Sequence, residues 1–144
     1  MKTGLIVSLT DAPGQAFEKL NQLGIQTCQL NCWQQARFTP QTAAQVKTEA
    51  ARHAVEISAV WCGWEGPAVW DFLSGPLTLG IVPAQYRAPR LAMLLRGAEF
   101  TSWLGVRDMV THVGFIPEDP NLPQYGEVIA ALKQLAGRCR ELGL

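Results

Sequence analysis

Short apolar runs alternate with longer stretches of helical spacing four times along this chain, and that alternation constrains the fold more than any other feature. Gly4 to Leu9 is a nearly continuous apolar run, the signature of a strand buried on both faces of a parallel sheet. Asp11, Pro13 and Gly14 turn the chain. Ala16, Phe17, Leu20 and Leu23 then recur at helical spacing, and Gly24 stands where a left-handed residue would close that helix. Ile25 to Cys32 reads as the second strand. Thr39-Pro40 opens the second helix, a capping hydroxyl followed by proline at the first helical position, and the helix runs to about Ala54. Val55 to Cys62 is the third strand, and Gly63 to Ala88 is a long irregular segment rich in glycine, proline and tryptophan. A third helix from about Pro89 to Leu104, a fourth strand from Val106 to Val113 and a last long helix closing at Gly143 complete the series. Strand and helix in strict alternation, with short helix-to-strand joins, predict a parallel α/β sheet with right-handed crossovers.

The joins themselves repeat. Leu23-Gly24-Ile25, Leu104-Gly105-Val106 and Leu142-Gly143-Leu144 are each leucine, glycine, apolar, and in the first two the apolar residue begins a strand. The pattern predicts that Leu144 opens a fifth strand that is missing. The expectation is therefore a single truncated (β/α) domain over residues 1–144, one domain in size and well short of a full eight-stranded barrel.

Composition narrows the partners. Twelve basic and twelve acidic side chains cancel, which leaves no electrostatic footprint for nucleic acid or an anionic membrane. No apolar run approaches a membrane span, and Leu5 to Leu9 is too short for the core of a signal peptide, so the expected location is cytoplasmic. Cys28, Cys32, Cys62 and Cys139 show neither CxxC pairing nor zinc-finger spacing. On one strand face Cys28 and Cys32 would stand about 13 Å apart, beyond disulfide reach, so reduced, buried thiols are expected.

In parallel α/β folds, ligands sit at the carboxyl ends of the strands. Strand two delivers Gln29, Asn31 and Trp33 to one face, strand three delivers Trp61, Trp64 and Glu65, and strand four delivers His112. His112 is either a buried histidine satisfied by backbone groups or a site residue at a strand tip. One of Trp61 and Trp64 is expected in the core; the other, beside Glu65-Gly66-Pro67, would form an apolar wall for a sugar ring. Glu65 reads as a loop-surface charge as well as a site candidate. Gln29, an amide within an apolar strand, needs buried partners and suggests a polar barrel interior. Arg87 and Arg90 could bind an anion, although solvated arginines are commoner, and His53 reads as a solvated, dipole-compensating residue at a helix end. Motifs for phosphate cradles, zinc proteases and serine nucleophiles are absent.

Leu20, Leu23-Gly24 and Cys28-Gln29-Leu30 resemble the second-strand signature of the xylose isomerase-like sugar phosphate isomerase/epimerase barrels. Gly75-Pro76 through Arg87 and Arg90, then Leu104 to Ala136, resemble the third-loop to fourth-helix region of that family. The resemblance spans essentially the whole chain and implies the (β/α)4 N-terminal half of a xylose isomerase-like TIM barrel. It further implies metal-assisted proton transfer next to a sugar carbonyl, with a divalent metal such as Mn, Mg or Co. The metal ligands would lie on strands five to eight, so neither a catalytic residue nor a bound metal is expected in this chain. By the same resemblance His112, Trp61, Trp64, Glu65 and Gln29 would shape the sugar pocket. Gln29 stands where the family usually has glutamate, and Val113-Gly114 where related endonuclease IV barrels continue their histidine with proline-glycine.

Three functions follow as expectations. The first is a sugar isomerase or epimerase represented by one half, inactive alone. The second is a non-catalytic half-barrel that pairs as a homodimer or binds a partner, because its strand edges and inner face would be exposed. The third is an endonuclease IV-like repair enzyme, disfavoured by the neutral charge and by only two histidines.

Overall fold

A computed structural model describes residues 3–144. Strands β1 (Leu5–Ser8), β2 (Thr27–Cys32), β3 (Glu56–Cys62) and β4 (Met109–Val110) form one parallel sheet in that order. Between them run α1 (Pro13–Gln22), α2 (Pro40–Arg52), the single turn α3 (Gly75–Thr78) and α4 (Ala84–Leu104), and α5 (Pro123–Glu141) follows β4. Proline stands at the start of α1, α2 and α5, where a missing N–H costs nothing. The Thr39 hydroxyl accepts from the Thr42 N–H at 3.1 Å and caps α2, as its sequence predicts. The three leucine-glycine joins all bend through left-handed glycines, at Gly24, Gly105 and Gly143.

The core lies on one side of the sheet only. Cys28, Leu30, Cys32, Val60 and Cys62 point from β2 and β3 into a layer built from Phe17 and Leu20 of α1, Val46 of α2, Met93, Leu94 and Phe100 of α4, and Leu135 of α5. Phe38 stacks on Phe100 at 5.2 Å. Each such side chain stabilises the fold by about 1.5–3 kcal/mol through burial. All four cysteines are unbridged, with Cys28, Cys32 and Cys62 buried, in line with the reduced thiols expected. The opposite sheet face is open.

Four boundaries differ from the sequence reading. β1 is an edge strand whose Leu5 and Ile6 are 41% and 67% exposed, so its apolar run does not mark burial on both faces. β4 is cut to two paired residues. Its continuation is claimed by other partners: the Val113 carbonyl accepts from the Ile81 N–H at 2.8 Å, and the Thr111 hydroxyl donates to the Cys62 carbonyl at 2.7 Å. β2 starts at Thr27, because Ile25 is still occupied in closing α1 through its N–H to the Leu20 carbonyl. Finally, α4 starts at Ala84 and carries Pro89 inside it. Pro89 cannot donate to the carbonyl one turn back, a local loss outweighed by the buried row Arg90, Met93, Leu94 and Gly97 that follows.

Candidate functional site

The open face of the sheet alternates in register with the core face. Gln29 pairs with Ala59, Asn31 with Trp61 and Trp61 with Val110, so these side chains share the side away from the helices. At the carboxyl ends the alternation continues into Trp33 and His112. Trp33 and Trp61 meet at 4.7 Å between ring centroids, Trp33 and Trp64 at 5.6 Å, and Trp61 and Trp64 at 6.1 Å. Gly63 makes this possible: a Cβ there would lie well inside the van der Waals envelope of the Trp33 ring. Trp70, carried by the loop after β3, reaches back to His112 in an edge-on contact at 5.0 Å. Ile6, Gln29, Asn31, Trp33, Trp61 and Trp70 line a cleft of about 230 Å³.

His112 is positioned by its own turn. The Gly114 N–H donates to His112 Nδ1 at 3.1 Å, so in the neutral ring Nε2 carries the hydrogen. Trp64 lies 6.4 Å from the imidazole. Three polar atoms in this neighbourhood are buried without a hydrogen-bond partner among the described residues, Asn31 Oδ1, Trp64 Nε1 and the Nε of Arg90, which lies over the Trp64 ring. Orphaned groups of this kind carry a desolvation cost of about 1–3 kcal/mol each unless a ligand or water meets them.

Arg90 underpins the aromatic cluster. Its guanidinium is buried and donates to the carbonyls of Thr78, Gly80 and Pro67, each at 2.7 Å, while lying 5.4 Å from the Trp64 ring and 4.4 Å from the Tyr86 ring. Burial draws its pKa below the ordinary value. Arg87 donates to the carbonyls of Ile81 and Val82 and pairs with Glu127. Neither arginine is the solvated or anion-binding side chain that the sequence suggested; both bind the loop between β3 and α4.

The sequence candidates therefore separate. His112, Trp61 and Gln29 come together on the open face. The two tryptophans exchange their expected roles, because Trp64, 2% exposed, is the buried one and Trp61 is the cleft wall. Glu65 is exposed and does not line the cleft. Gln29 is half-buried on the cleft floor, where the cleft itself faces it. His53 caps α2 at the opposite end of the sheet, partly buried, 3.6 Å from Glu49. Asn31 and Trp33 share the period-two signal that exposed Gln29; Trp70 lies in an irregular loop and had none. A larger groove of about 430 Å³, lined by Asp11, Glu18, Glu49, Arg52 and His53 among others, separates α1 from α2. Its charged walls belong to the helical layer, whereas ligand chemistry in parallel sheets gathers at strand ends.

A divalent metal does not fit the side chains present. Among the described residues no three His, Cys, Asp or Glu side chains gather closely enough to hold an ion. The cleft itself is lined by two amides, with His112 in contact with Trp70 at its edge, and no carboxylate lines it among the described residues.

No family model and no curated protein matches the chain. Solved structures do. A xylose isomerase domain protein from Planctomyces limnophilus superposes with a TM-score of 0.89 at 24% identity, over 97% of this chain and 49% of that one. A putative xylose isomerase from Rhodospirillum rubrum gives 0.66 at 16% identity, over 100% and 52%. A D-psicose 3-epimerase from Clostridium cellulolyticum H10, solved with D-tagatose, gives 0.64 at 15% identity, over 100% and 50%. The chain thus spans about half the length of the solved chains it matches. Four parallel strands, their helices on one face and an aromatic cleft on the other make this chain one half of a xylose isomerase-like TIM barrel in fold.

Proposed function

We propose that this chain is the sugar-recognition half of an isomerase or epimerase that moves a proton next to a ketose or aldose carbonyl. The observation that carries the reading is the cluster of Trp33, Trp61, Trp64 and Trp70 with His112 on the sheet face that lines the barrel in this fold. Tryptophan faces take the C–H side of a sugar ring, while Gln29, Asn31 and His112 Nε2 supply hydrogen bonds that orient its hydroxyls. His112 would polarise or hold an oxygen through Nε2. No carboxylate that could shuttle the proton lines the cleft among the described residues, so the chain by itself is expected to bind and not to turn over.

Intrinsic tryptophan emission titrated with a panel of ketoses and aldoses tests this. Saturable quenching by one sugar is expected, weakened about tenfold or more in Trp61→Ala through loss of a stacked ring. No response to any sugar at tens of millimolar would sink the reading. Incubation of the chain with ketoses and Mn2+, Mg2+ or Co2+ is expected to give no epimer; turnover would assign the chemistry itself to these residues.

One observation favours a second reading. β1 and β4 each have one unpaired edge, and the sheet face between them is open. A two-fold axis would pair β4 of one copy with β1 of the next, in parallel, and close an eight-stranded homodimeric barrel. Light scattering distinguishes the 15.8 kDa monomer from a species of twice that mass.

A further inference from the structure

We infer that the cleft takes an uncharged sugar ring and rejects its phosphate ester. The inference rests on the sugar reading above and adds the charge class of the ligand. Among the described residues the cleft is lined by three tryptophans, an isoleucine and two amides, with no charged side chain. Its volume of about 230 Å³ lies below the roughly 300–1,000 Å³ that holds drug-sized ligands, and so suits a single small ring.

One polar atom makes a sharper distinction. Asn31 Oδ1, on the cleft wall, is buried and has no donor among the described residues. A sugar hydroxyl can donate to it. A phosphate dianion only accepts, so beside the Asn31 amide it leaves the oxygen unpaired and brings charge against charge-free walls.

The cations that would offset that charge are committed elsewhere. Arg90 is held through its two terminal nitrogens by three backbone carbonyls, Arg87 by two carbonyls and Glu127, and Arg37 pairs with Asp11. The other described basic side chains sit on α1, α2, α4 and α5 or, for Arg107, at the amino end of β4, away from the strand tips. Redirecting Arg90 would strand the carbonyls of Pro67, Thr78 and Gly80. Drawing it toward a phosphate would therefore loosen the loop that carries Trp70.

Calorimetric and tryptophan-emission titrations of the whole chain with D-fructose, D-fructose 6-phosphate and inorganic phosphate test the inference at low ionic strength. Fructose is expected to bind and the ester to bind about tenfold or more weakly, the cost of placing an unpaired dianion on an apolar site. Gln29→Lys, which puts a cation on the cleft floor, is expected to raise the affinity for the ester by about tenfold. An ester that binds the unaltered chain as tightly as fructose overturns the inference and leaves the sugar reading standing. Failure of both sugars to bind removes the two together. An ester affinity that Gln29→Lys does not change would place the ligand away from this cleft and overturn the assignment.

Discussion

Gly63 and Arg90 are the two residues on which the aromatic cluster depends. The Trp33 ring occupies the space a Cβ at position 63 would need. Gly63→Ala is therefore expected to destabilise the chain by about 1–3 kcal/mol, as overpacked sites do, and to change the near-ultraviolet signal of the tryptophans. Urea unfolding with near-ultraviolet circular dichroism checks both effects; an unchanged spectrum would mean that Trp33 does not rest on this glycine. Arg90 acts from beneath, tying Pro67, Thr78 and Gly80 to α4 and stacking on Trp64. Its replacement by Leu leaves three carbonyls without donors, an expected loss of about 3 kcal/mol or more in urea unfolding. Arg90→Lys should recover only part of this, because an ammonium group cannot reproduce the planar fork or the stacking. Recovery of full stability by lysine would reduce Arg90 to a point charge.

At the scale of elements, the core side of the sheet is acid-tolerant and alkali-sensitive in its thiols. Burial pushes Cys28 up to about 11 and Cys62 up to about 12 from an ordinary 9.0, and raises Cys32 as well. An unfolded chain loses these protons near pH 9 while the native one retains them. The stability they contribute is whole below about 9 and is lost as the pH rises through the folded values of about 11 and 12. The urea midpoint should fall across that window, and a Cys28→Ala, Cys62→Ala double variant should fall less steeply. In α4, Pro89→Ala restores a donor for the carbonyl of Gln85, and the melting temperature is expected to rise by the equivalent of about 1 kcal/mol or more. A lower melting temperature would show that the proline stiffens the unfolded chain more than it harms the helix. The order of the elements was legible because apolar runs and helical spacing alternate so regularly. The start of α4 was not, since a proline usually marks a helix's first turn and here sits in its second. The length of β4 was equally hidden: the Val113 carbonyl is taken by Ile81, thirty-odd positions away in the chain, and no local pattern announces that.

For the whole molecule, the open sheet face decides what surrounds it. Ile6, 67% exposed there, can be replaced by lysine in a single copy with a stability change within about 0.5 kcal/mol. In a barrel closed by a second copy the same lysine would be buried, so Ile6→Lys should abolish any dimer seen by light scattering. A dimer that survives the change pairs through some other surface. The site itself was half legible. Period-two spacing brings Gln29, Asn31 and Trp33 to one face, and His112 follows from its place at a strand tip. Trp70 comes from an irregular loop whose path is set by Arg90 and by the seam between Ile81 and Val113, and neither contact has a sequence signature. The closeness of the tryptophans also bears on how the protein looks to a spectrometer. With Trp33 and Trp61 at 4.7 Å and tilted by 47°, their indole transitions are excitonically coupled. A paired positive and negative band should therefore overlie the far-ultraviolet helix signal. Helix content read from that spectrum without allowance for the couplet would be in error, and loss of the couplet in Trp61→Ala would report on the cluster's geometry with no ligand added.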